Sequence, residues 1–530
     1  MSGRQRTLRR GITAISLAAV FALVMTSCST PTAPPTTTAP TTSAAPTTSA
    51  PPAGGALVLG VTSEADTLFP WKATQFQAVN VMQTLYGTLT EFDQDLNVVQ
   101  GLAESWETSS DGLTVTFHLR HGVKFADGTD FDATDVKFSL DKIRDEATAA
   151  VSRASLASVK SVDIVDPYTV ALTLNNPDAA LIASLAVINM AMLSSADTEE
   201  KLNTTPNGTG PFMMQQRIPN QSLILARNPN YWGDKPKLDT IEFRVMPDET
   251  SIVAAMQSGN VQMAVFDDPL VAKSAEAAGL TVKKTPLLNY HVLQLNAASK
   301  SGVLADLNVR LAMQCAIDRQ QVLDTAAMGE GTVIGPITSP AYLSDPNSRP
   351  CPTRDLAKAA EYLAKAGKSG GVTVKTIVSQ GEYATSVNEA QNLKAQLAEA
   401  KITLDLEVLE SGAYVDRWLA ADFDAAVALN GARPDPDGSY SRYFTSTGNL
   451  NKIAGFSSPE LDQLFAKGKQ TADPAQRKVI YTQISNILES NAVWIWMFTA
   501  YTYTATTSGV GGFVPMANQS MQYLRSTSLG

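Results

Sequence analysis

Residues 29–55 contain no charged residue and no large apolar side chain, and consist almost entirely of Pro, Thr, Ala and Ser. A segment of this composition cannot build a hydrophobic core, so we predict an extended linker there. The folding part of the chain therefore begins near Ala56 and comprises about 475 residues, which is enough for two or three lobes with cores of their own.

The linker follows an N-terminal segment that has the features of an export signal. Four arginines within the first ten residues precede an uncharged apolar run, Gly11 to Met25, which is shorter than the roughly 20 residues that span a bilayer. Two small residues then lead directly to Cys28, an arrangement that resembles a bacterial lipobox. We predict a signal peptide over residues 1–27, lipid on the sulfur of Cys28 and a linker over residues 28–55. The alternative is an ordinary signal peptide with an incidental cysteine.

These features predict a protein that is anchored by lipid at the outer face of the cytoplasmic membrane, in the extracellular or periplasmic space. Its charge argues against nucleic acid as a partner. The whole chain has a formal charge of −10, and residues 1–27 carry four arginines and no acidic residue, so the remainder carries −14. Phosphate binding requires clustered positive charge. No apolar run after Met25 approaches membrane-spanning length, so we expect membrane contact through the lipid alone.

Cysteine is sparse in the folded part of the chain. With Cys28 lipidated, two cysteines remain, Cys315 and Cys351. Outside the cytoplasm such a pair can persist as a disulfide, and two buried free thiols are equally compatible with the sequence.

Strand and helix patterns alternate from Ala56 onward, which indicates a mixed α/β fold. Apolar and polar residues alternate from Leu113 to Arg120 and predict a half-buried strand, with Val123 and Phe125 on its hairpin partner. Further strands are predicted at Tyr168–Leu174, Ile241–Val245 and Ile402–Val408. Helices are predicted after Asp473, with Pro474 at the first helical position, and from Leu356 to Leu363, with Gly367 ending the helix.

A search for catalytic and metal-binding patterns nominates none. His118 and His121 lie three residues apart on or beside the first predicted strand, where that spacing points their side chains to opposite faces. No cysteine or second carboxylate lies at ligand spacing around them, so strand-surface histidines are the better interpretation. No nucleophile elbow and no complete phosphate-binding loop occur. We therefore expect no enzyme, and no bound metal or cofactor.

A series of separated motifs is the strongest functional signal in the chain. It comprises Leu102–Arg120, Gly122–Gly128, Thr134–Ser139, Gly208–Phe212, Leu225–Gly233 and Leu307–Arg319. In their order and in their amino-acid sequence these segments resemble the family 5 extracellular solute-binding proteins, which are the receptors of peptide-type ABC importers. The resemblance covers the chain from Leu57 to the C-terminus, and the ordered series is far more specific than any one motif.

The resemblance implies an α/β, two-lobed periplasmic-binding-protein-like fold with an extra subdomain in lobe one. Lobe one would comprise residues 56–292 and 500–530, with the extra subdomain at about 81–207. Lobe two would comprise residues 293–499. A ligand would bind between the lobes, which close on it, and a permease and ATPase complex would then receive it. We expect a monomer.

The segment from Phe423 to Tyr440 should discriminate between ligands. In peptide-binding members an Asp here holds the peptide ammonium, three positions before an Asp-Pro-Asp. This chain keeps Asp435-Pro436-Asp437 but has Ala432 at the ammonium position, followed by Arg433. The departure implies that Arg433 faces the cleft and selects an acidic group, unless Asp435 or Asp437 pairs with it internally. A slip of one or two residues would instead give Asp435 the ammonium role.

The resemblance also implicates the turn from Gly208 to Phe212, which borders the cleft in this family. Its two glycines permit close approach of a ligand, although a tight turn alone also explains them. The last aspartate of the Asp-Pro-Asp motif has a structural alternative as well, as the N-cap of a helix through Tyr443. The expected ligand-binding residues are Thr209, Gly210, Asn430, Arg433, Asp435 and Tyr440.

Three functions remain open from the sequence: two in one receptor class, and a third in a different class, a surface lipoprotein with catalytic or signalling work on this scaffold. The first is a substrate-binding lipoprotein of an ABC importer for oligopeptides or peptide-like solutes. The second is a receptor of the same class for a non-peptide organic ligand, such as an acidic opine, an aromatic acid or an oligosaccharide.

Overall fold

The computed structural model describes residues 54–380 and 385–530, which form 20 strands and 15 α-helices. The predicted signal peptide, Cys28 and nearly all of the predicted linker lie outside the described residues. The strands are β1 (Ala56–Val61), β2 (Thr90–Phe92), β3 (Val98–Gln100), β4 (Ala103–Thr108), β5 (Thr114–Leu119), β6 (Val159–Asp166), β7 (Thr169–Leu174), β8 (Phe212–Ile218), β9 (Ser222–Arg227), β10 (Thr240–Val245), β11 (Met263–Phe266), β12 (Thr281–Pro286), β13 (Tyr290–Leu295), β14 (Gly331–Val333), β15 (Val372–Gln380), β16 (Ile402–Glu410), β17 (Ala425–Asn430), β18 (Trp494–Thr506), β19 (Val510–Gly511) and β20 (Ser528–Leu529). The α-helices are α1 (Phe76–Leu85), α2 (Ala133–Arg144), α3 (Leu181–Ser184), α4 (Glu199–Thr204), α5 (Glu249–Gln257), α6 (Pro269–Ala277), α7 (Leu307–Ala316), α8 (Arg319–Ala326), α9 (Leu356–Lys365), α10 (Ser386–Glu399), α11 (Ser411–Leu419), α12 (Asp437–Phe444), α13 (Asn451–Ala454), α14 (Pro459–Gln470) and α15 (Pro474–Ser490).

A single long strand, β18, joins the two halves of the main sheet. The sheet has 12 strands in the order β16-β15-β17-β13-β18-β11-β1-β10-β9-β8, with β12 and β14 also paired to β18. Residues 494–498 of β18 pair with β13, whereas residues 503–506 pair with β11. The two halves of the sheet therefore share the backbone of one strand. A separate four-stranded sheet has the order β4-β5-β7-β6.

The buried side chains form separate cores on the two sides of β18. One core draws all its buried residues from Tyr290 to Phe498. A second core draws nearly all of them from Leu57 to Phe243 and includes the inner face of the four-stranded sheet. Each core is large enough to stabilise its own half, because burial of apolar surface contributes in proportion to area.

Most of the predicted elements are confirmed, because their sequence patterns were long and regular. Strands β5, β7, β10 and β16 lie where alternation predicted them. Helix α15 begins at Pro474, and the side chain of Asp473 accepts a hydrogen bond from the backbone N–H of Gln476 at 2.8 Å. Helix α9 ends at Lys365, and Gly367 follows with a φ of +67°.

The predicted hairpin partner of β5 is wrong. Strands β4 and β7 flank β5 on its two sides. Val123 and Phe125 lie instead in a loop in which Lys124 forms one isolated bridge with Asp130. Both apolar side chains are fully buried in the neighbouring core, so their spacing of two reflects a buried loop and not a strand.

The two remaining cysteines lie together in the core that runs from Tyr290 to Phe498. Cys315 and Cys351 form a disulfide with their Cα atoms 5.0 Å apart, and both are buried. The bond ties α7 to the segment that precedes α9. Within the described residues, no helix combines the length and the apolar character needed to cross a bilayer.

Candidate functional site

Two neighbouring cavities lie where the two halves of the molecule meet. The larger cavity has a volume of about 790 Å³, and Leu59, Asp267, His291 and Leu429 are among its lining residues. The smaller cavity has a volume of about 390 Å³. Each is lined by residues from both sides of β18, and Ser520 lines both. Clefts between domains that carry a few polar groups are typical ligand sites.

An apolar cluster borders both cavities. It consists of the buried side chains of Phe92, Leu96, Leu288 and Met516, with Ala432 packed against it. Phe92 lines the smaller cavity and Met516 lines the larger one. Ala432, which follows β17, thus packs against residues of the opposite half, so the cluster is a contact across the cleft.

Ion pairs neutralise part of the charge around the larger cavity. Glu64 pairs with Arg217 at 3.5 Å. Glu330 pairs with Lys284 at 2.6 Å and with Lys273 at 3.4 Å. The negative charges of Glu64 and Glu330 are therefore neutralised by these three cations.

Three further carboxylates on the wall of the larger cavity have no ion-pair partner among residues 54–380 and 385–530. They belong to Glu249, at the start of α5, to Asp267, just after β11, and to Asp268, the N-cap of α6. Burial and then the negative charge of Asp267 raise the pKa of Glu249 to about 7. Burial also raises the pKa of Asp267, so ionisation of both neighbouring carboxyl groups is disfavoured in this part of the larger cavity.

His291 lies on β13, at the wall of the larger cavity. Its Nδ1 lies 2.8 Å from Oε1 of Glu389, and its ring stacks on Phe498 at 4.3 Å between centroids. Both His291 and Glu389 are buried. The pair joins β13 to α10. Within the described part of the chain, no group of three potential metal-ligating side chains occurs.

The smaller cavity brings together three of the six expected ligand-binding residues: Thr209, Gly210 and Arg433. Two hydrogen bonds, each of 2.8 Å, fix the backbone of Arg433. Its N–H donates to Oγ of Ser439, and its carbonyl accepts from Oγ of Ser339. Its guanidinium donates to Oγ of Ser155, 3.3 Å away in the opposite half of the molecule. Arg433 therefore reaches across the cleft.

The Arg433 guanidinium has no carboxylate partner among the described residues. The surrounding protein, and then the positive charge of Arg442, lower its pKa from the ordinary arginine value. Its side chain nevertheless stays open to solvent within the cleft. Both facts fit a cation that lines a concave wall without an acidic neighbour.

The two aspartates that were expected as internal partners of Arg433 bind other cations. Asp435 forms a two-pronged ion pair with Arg477, with one bond of 3.0 Å from Nη2 to Oδ1 and a second from Nη1 to Oδ2. Asp437 pairs with Lys469 at 3.2 Å. Neither aspartate lines a cavity. The expectation that Asp435 contacts the ligand, as an ammonium binder or otherwise, therefore stays a prediction, and the structure shows its carboxylate paired with Arg477.

The expected N-cap role of Asp437 is also wrong. Helix α12 begins at Asp437 itself, after Pro436. The side chain of Asp435 accepts a hydrogen bond from the backbone N–H of Asp437 at 2.9 Å. Because Asp435 supplies the acceptor at this helix start, the Asp437 side chain is left to pair with Lys469.

Asn430 and Tyr440 are buried inside the half of the molecule that contains β13. The side chain of Asn430 accepts from Gln294 at 3.0 Å and donates to the Tyr290 hydroxyl at 3.4 Å. The Tyr440 ring stacks on the Tyr290 ring, 5.9 Å away and inclined by 11°. Neither residue lines either of the two cavities, and the expectation that they contact the ligand stays a prediction. The placement of Asn430 fits strand alternation, since its neighbour Leu429 faces the larger cavity.

Gly208 and Gly210 allow the start of β8 to lie close to the end of α1. Neither glycine has a positive φ, so it is this close approach, and not a left-handed turn, that requires them. The N–H of Gly210 donates to the carbonyl of Leu85 at 3.0 Å. A Cβ on Gly210 would lie 2.5 Å from the Leu85 backbone, and one on Gly208 would lie 2.1 Å from the Leu85 carbonyl oxygen. Gly208 and Gly210 are thus needed where β8 begins against the end of α1.

Two aromatic residues of the motif Leu225–Gly233 form part of the wall of the smaller cavity. Tyr231 and Trp232 line the cavity, and the indole N–H of Trp232 is buried with no hydrogen-bond partner in the described structure. The guanidinium carbon of Arg120 lies over the Trp232 ring, 4.7 Å from the ring centroid, and forms a cation–π contact. Their motif, Leu225–Gly233, was a signal for this wall, but its spacing alone does not indicate which side chains face the cavity.

Comparisons with known proteins agree on one family and one fold. Residues 97–451 match the family model described as bacterial extracellular solute-binding proteins, family 5 Middle. The chain is 28% identical over 482 residues to the glutathione-binding protein GsiB of Escherichia coli O6:K15:H31 (strain 536 / UPEC), covering 88% of this chain and 93% of GsiB.

Two solved structures are also similar. AgaA from A. tumefaciens R10 in complex with agropinic acid is 27% identical, with a TM-score of 0.72 over 90% of this chain and 99% of AgaA. DppA from Helicobacter pylori in complex with the peptide STSA is 25% identical, with a TM-score of 0.71 over 90% of this chain and 98% of DppA. The expected α/β fold class, of the two-lobed type with an extra subdomain, is confirmed.

Proposed function

Because the chain belongs to the bacterial extracellular solute-binding proteins of family 5, we propose that it captures peptides or peptide-like solutes and delivers them to the permease and ATPase of an ABC importer. It is a solute-binding protein and not an enzyme. The names of its relatives support a peptide-like ligand, since GsiB is named for glutathione and the DppA structure holds the peptide STSA.

The observation that carries the proposal is the position of the two cavities. Both are lined from the two sides of β18, so a solute that fills them touches both halves of the molecule. A solute with contacts on both halves favours the arrangement in which they are closest. Closure of this kind is how a binding protein signals to its membrane partner that it is loaded.

We assign the halves to two lobes with the boundaries expected from the sequence. Lobe one comprises residues 56–292 and 500–530, and lobe two comprises residues 293–499. The core between Tyr290 and Phe498 supports lobe two as a unit. The sheet β4-β5-β7-β6 supports an extra subdomain within about 81–207 of lobe one. The hinge then lies where the chain crosses between lobes, at the start of β13 and within β18.

Ligand binding should make the protein more compact without consuming the ligand. Small-angle scattering of the purified protein, with and without saturating Ser-Thr-Ser-Ala or glutathione, is expected to give a smaller radius of gyration for whichever probe binds by calorimetry. Maltose at the same concentration serves as the control and should leave the radius unchanged. A probe that binds but leaves the radius of gyration unaltered would contradict closure, and steady loss of the probe would contradict a receptor role.

We also propose that Cys28 carries the membrane anchor. A diacylglyceryl group has two acyl chains, and two membrane signals are what stable anchoring takes. Cys28→Ala is expected to move the protein from the membrane fraction to the medium, or to leave it unprocessed. Ser27→Ala keeps a small residue before the cysteine and should stay anchored. Processed Cys28→Ala protein that remains on the membrane would contradict the anchor.

A second ligand class has one observation in its favour. The ligand of AgaA is agropinic acid, and this chain has Ala432 where an ammonium-binding aspartate was expected, followed directly by Arg433. A non-peptide acid is therefore the alternative ligand for the same receptor class. Peptide and non-peptide acids both carry a carboxylate.

A further inference from the structure

We propose that the smaller cavity is the subsite for a carboxylate of the ligand and that Arg433 is the residue that binds it, an inference that rests on the proposed function. The subsite combines a guanidinium without an acidic partner, two buried donors without partners, and an aromatic wall. Each of these features is established by separate contacts.

Four cations near the cleft are paired with carboxylates, whereas Arg433 is not. The matched pairs are Arg217 with Glu64, Arg525 with Glu91, Arg477 with Asp435 and Lys469 with Asp437. Arg433 has a serine hydroxyl at 3.3 Å in place of a carboxylate. A guanidinium on the wall of a cleft pairs best with a partner that offers two oxygen acceptors in one plane, which is what a carboxylate offers.

A second unmatched arginine strengthens the positive charge at this place. Arg442 on α12 forms no ion pair within the described residues, and its guanidinium lies 4.8 Å from the Tyr443 ring. Its charge acts on Arg433, since the two repel and lower the pKa of Arg433. An anion in the smaller cavity relieves this repulsion, because opposite charge within a few ångströms favours both cations.

The smaller cavity also carries hydrogen-bond donors that the protein does not use. The hydroxyl of Thr209 and the indole N–H of Trp232 are both buried, and neither has a partner among the described residues. Thr209 is fully buried. Leaving a buried donor unpaired costs about 1–3 kcal/mol, so such groups in a cavity wall point to an acceptor that is bound there. A carboxylate supplies several acceptor positions.

The position of Arg433 is fixed before the ligand arrives. Its backbone is held by Ser439 on one side and Ser339 on the other. Two residues further on, Asp435 locks the same loop to Arg477 on α15. A group held in this way loses less conformational freedom on binding, which increases affinity.

The aromatic wall limits the class of acid. Tyr231 and Trp232 provide flat apolar surface beside the guanidinium, and the cavity volume of about 390 Å³ admits a terminal residue and not a long chain. The expected ligand is a small amino-acid-derived acid or the carboxyl-terminal residue of a short peptide. The remainder of such a ligand extends toward the larger cavity, which shares Ser520 with the smaller one.

The test is calorimetry with acids and their uncharged counterparts. The probes are Ser-Thr-Ser-Ala, glutathione and agropinic acid, each also prepared with its carboxyl groups amidated. The proteins are wild type, Arg433→Ala, Arg433→Lys and, as a matched control, Arg153→Ala. Arg153 lies close in sequence to Ser155 but lines neither cavity. Melting temperatures confirm that the variants fold.

For any acid that wild type binds, Arg433→Ala is expected to weaken binding at least about 30-fold. Arg433→Lys should lose less, since charge remains but the planar fork is gone. Amidated probes should bind wild type and Arg433→Ala equally, and Arg153→Ala should behave as wild type. Equal affinity of wild type and Arg433→Ala for a bound acid overturns the subsite, as does wild type preferring amides. Failure of all probes, acid and amide, overturns the proposed function as well.

Discussion

Replacing Asp435 with alanine is expected to lower the free energy of unfolding by about 3–5 kcal/mol, the range for removing one partner of a buried ion pair. Arg477 is 4% exposed and Asp435 11% exposed at their side chains. Burial by itself lowers the pKa of Arg477, but the hydrogen bonds and charge of Asp435 outweigh it and raise that pKa. Without Asp435 the guanidinium stays buried, with Tyr342, Tyr481 and the Gly468 carbonyl as its remaining partners. Denaturant unfolding measures the loss.

Two further variants isolate the ion pair. Glu407→Ala removes a carboxylate that pairs with Arg417 at 3.1 Å on the surface, and should hardly change stability. Asp435→Ala combined with Arg477→Met should be more stable than Asp435→Ala alone, because no unpaired charge remains. A variant Asp435→Ala that keeps full stability but loses ligand affinity would contradict this account and restore the ammonium-binding role to Asp435.

Removing the disulfide should have a comparable effect. Cys315→Ala combined with Cys351→Ala is expected to lower the free energy of unfolding by about 2–5 kcal/mol. The bond closes a loop between residues 36 apart in sequence, and its loss frees the unfolded chain. Both side chains are also buried, so the alanines leave a small packing defect.

Reduction provides the control for the disulfide. A reductant that lowers the melting temperature of wild type should leave the double alanine variant unchanged. Thiol titration of unfolded wild type without reductant is expected to find neither Cys315 nor Cys351 free. Two titratable thiols would contradict the disulfide and return these cysteines to the second alternative that the sequence left open.

The regular elements and the family could be predicted because their signals lie within short stretches of sequence. Alternation over β5 and β16, and the Asp473-Pro474 start of α15, are local patterns with a direct physical cause. The motif series, taken together, indicated the fold through resemblance. Thr209, Gly210 and Arg433 come from segments more than 200 residues apart and meet at one cavity, as the implied cleft required.

The expected site residues that lie outside both cavities are held there by contacts that are remote in sequence. The carboxylate of Asp435 is paired with Arg477, which lies 42 residues further along the chain. The side chain of Asn430 is hydrogen-bonded to Gln294 and Tyr290 on the neighbouring strand, β13. The spacing of residues in the loop motif does not reveal these partners. The need for glycine at Gly210 comes from the end of α1, more than 100 residues earlier. In each case a long-range partner, and not the local pattern, decides which way a side chain or backbone faces.

The central claim is that this protein binds peptide-like solutes in its cleft without converting them. The decisive measurement is native mass spectrometry of a soluble form that lacks residues 1–28, and with them the lipidated cysteine, after incubation with Ser-Thr-Ser-Ala and with glutathione. The account predicts a complex of one protein with one intact probe, whose mass is unchanged after prolonged incubation. No complex with either probe, or release of a cleaved or modified probe, would contradict it.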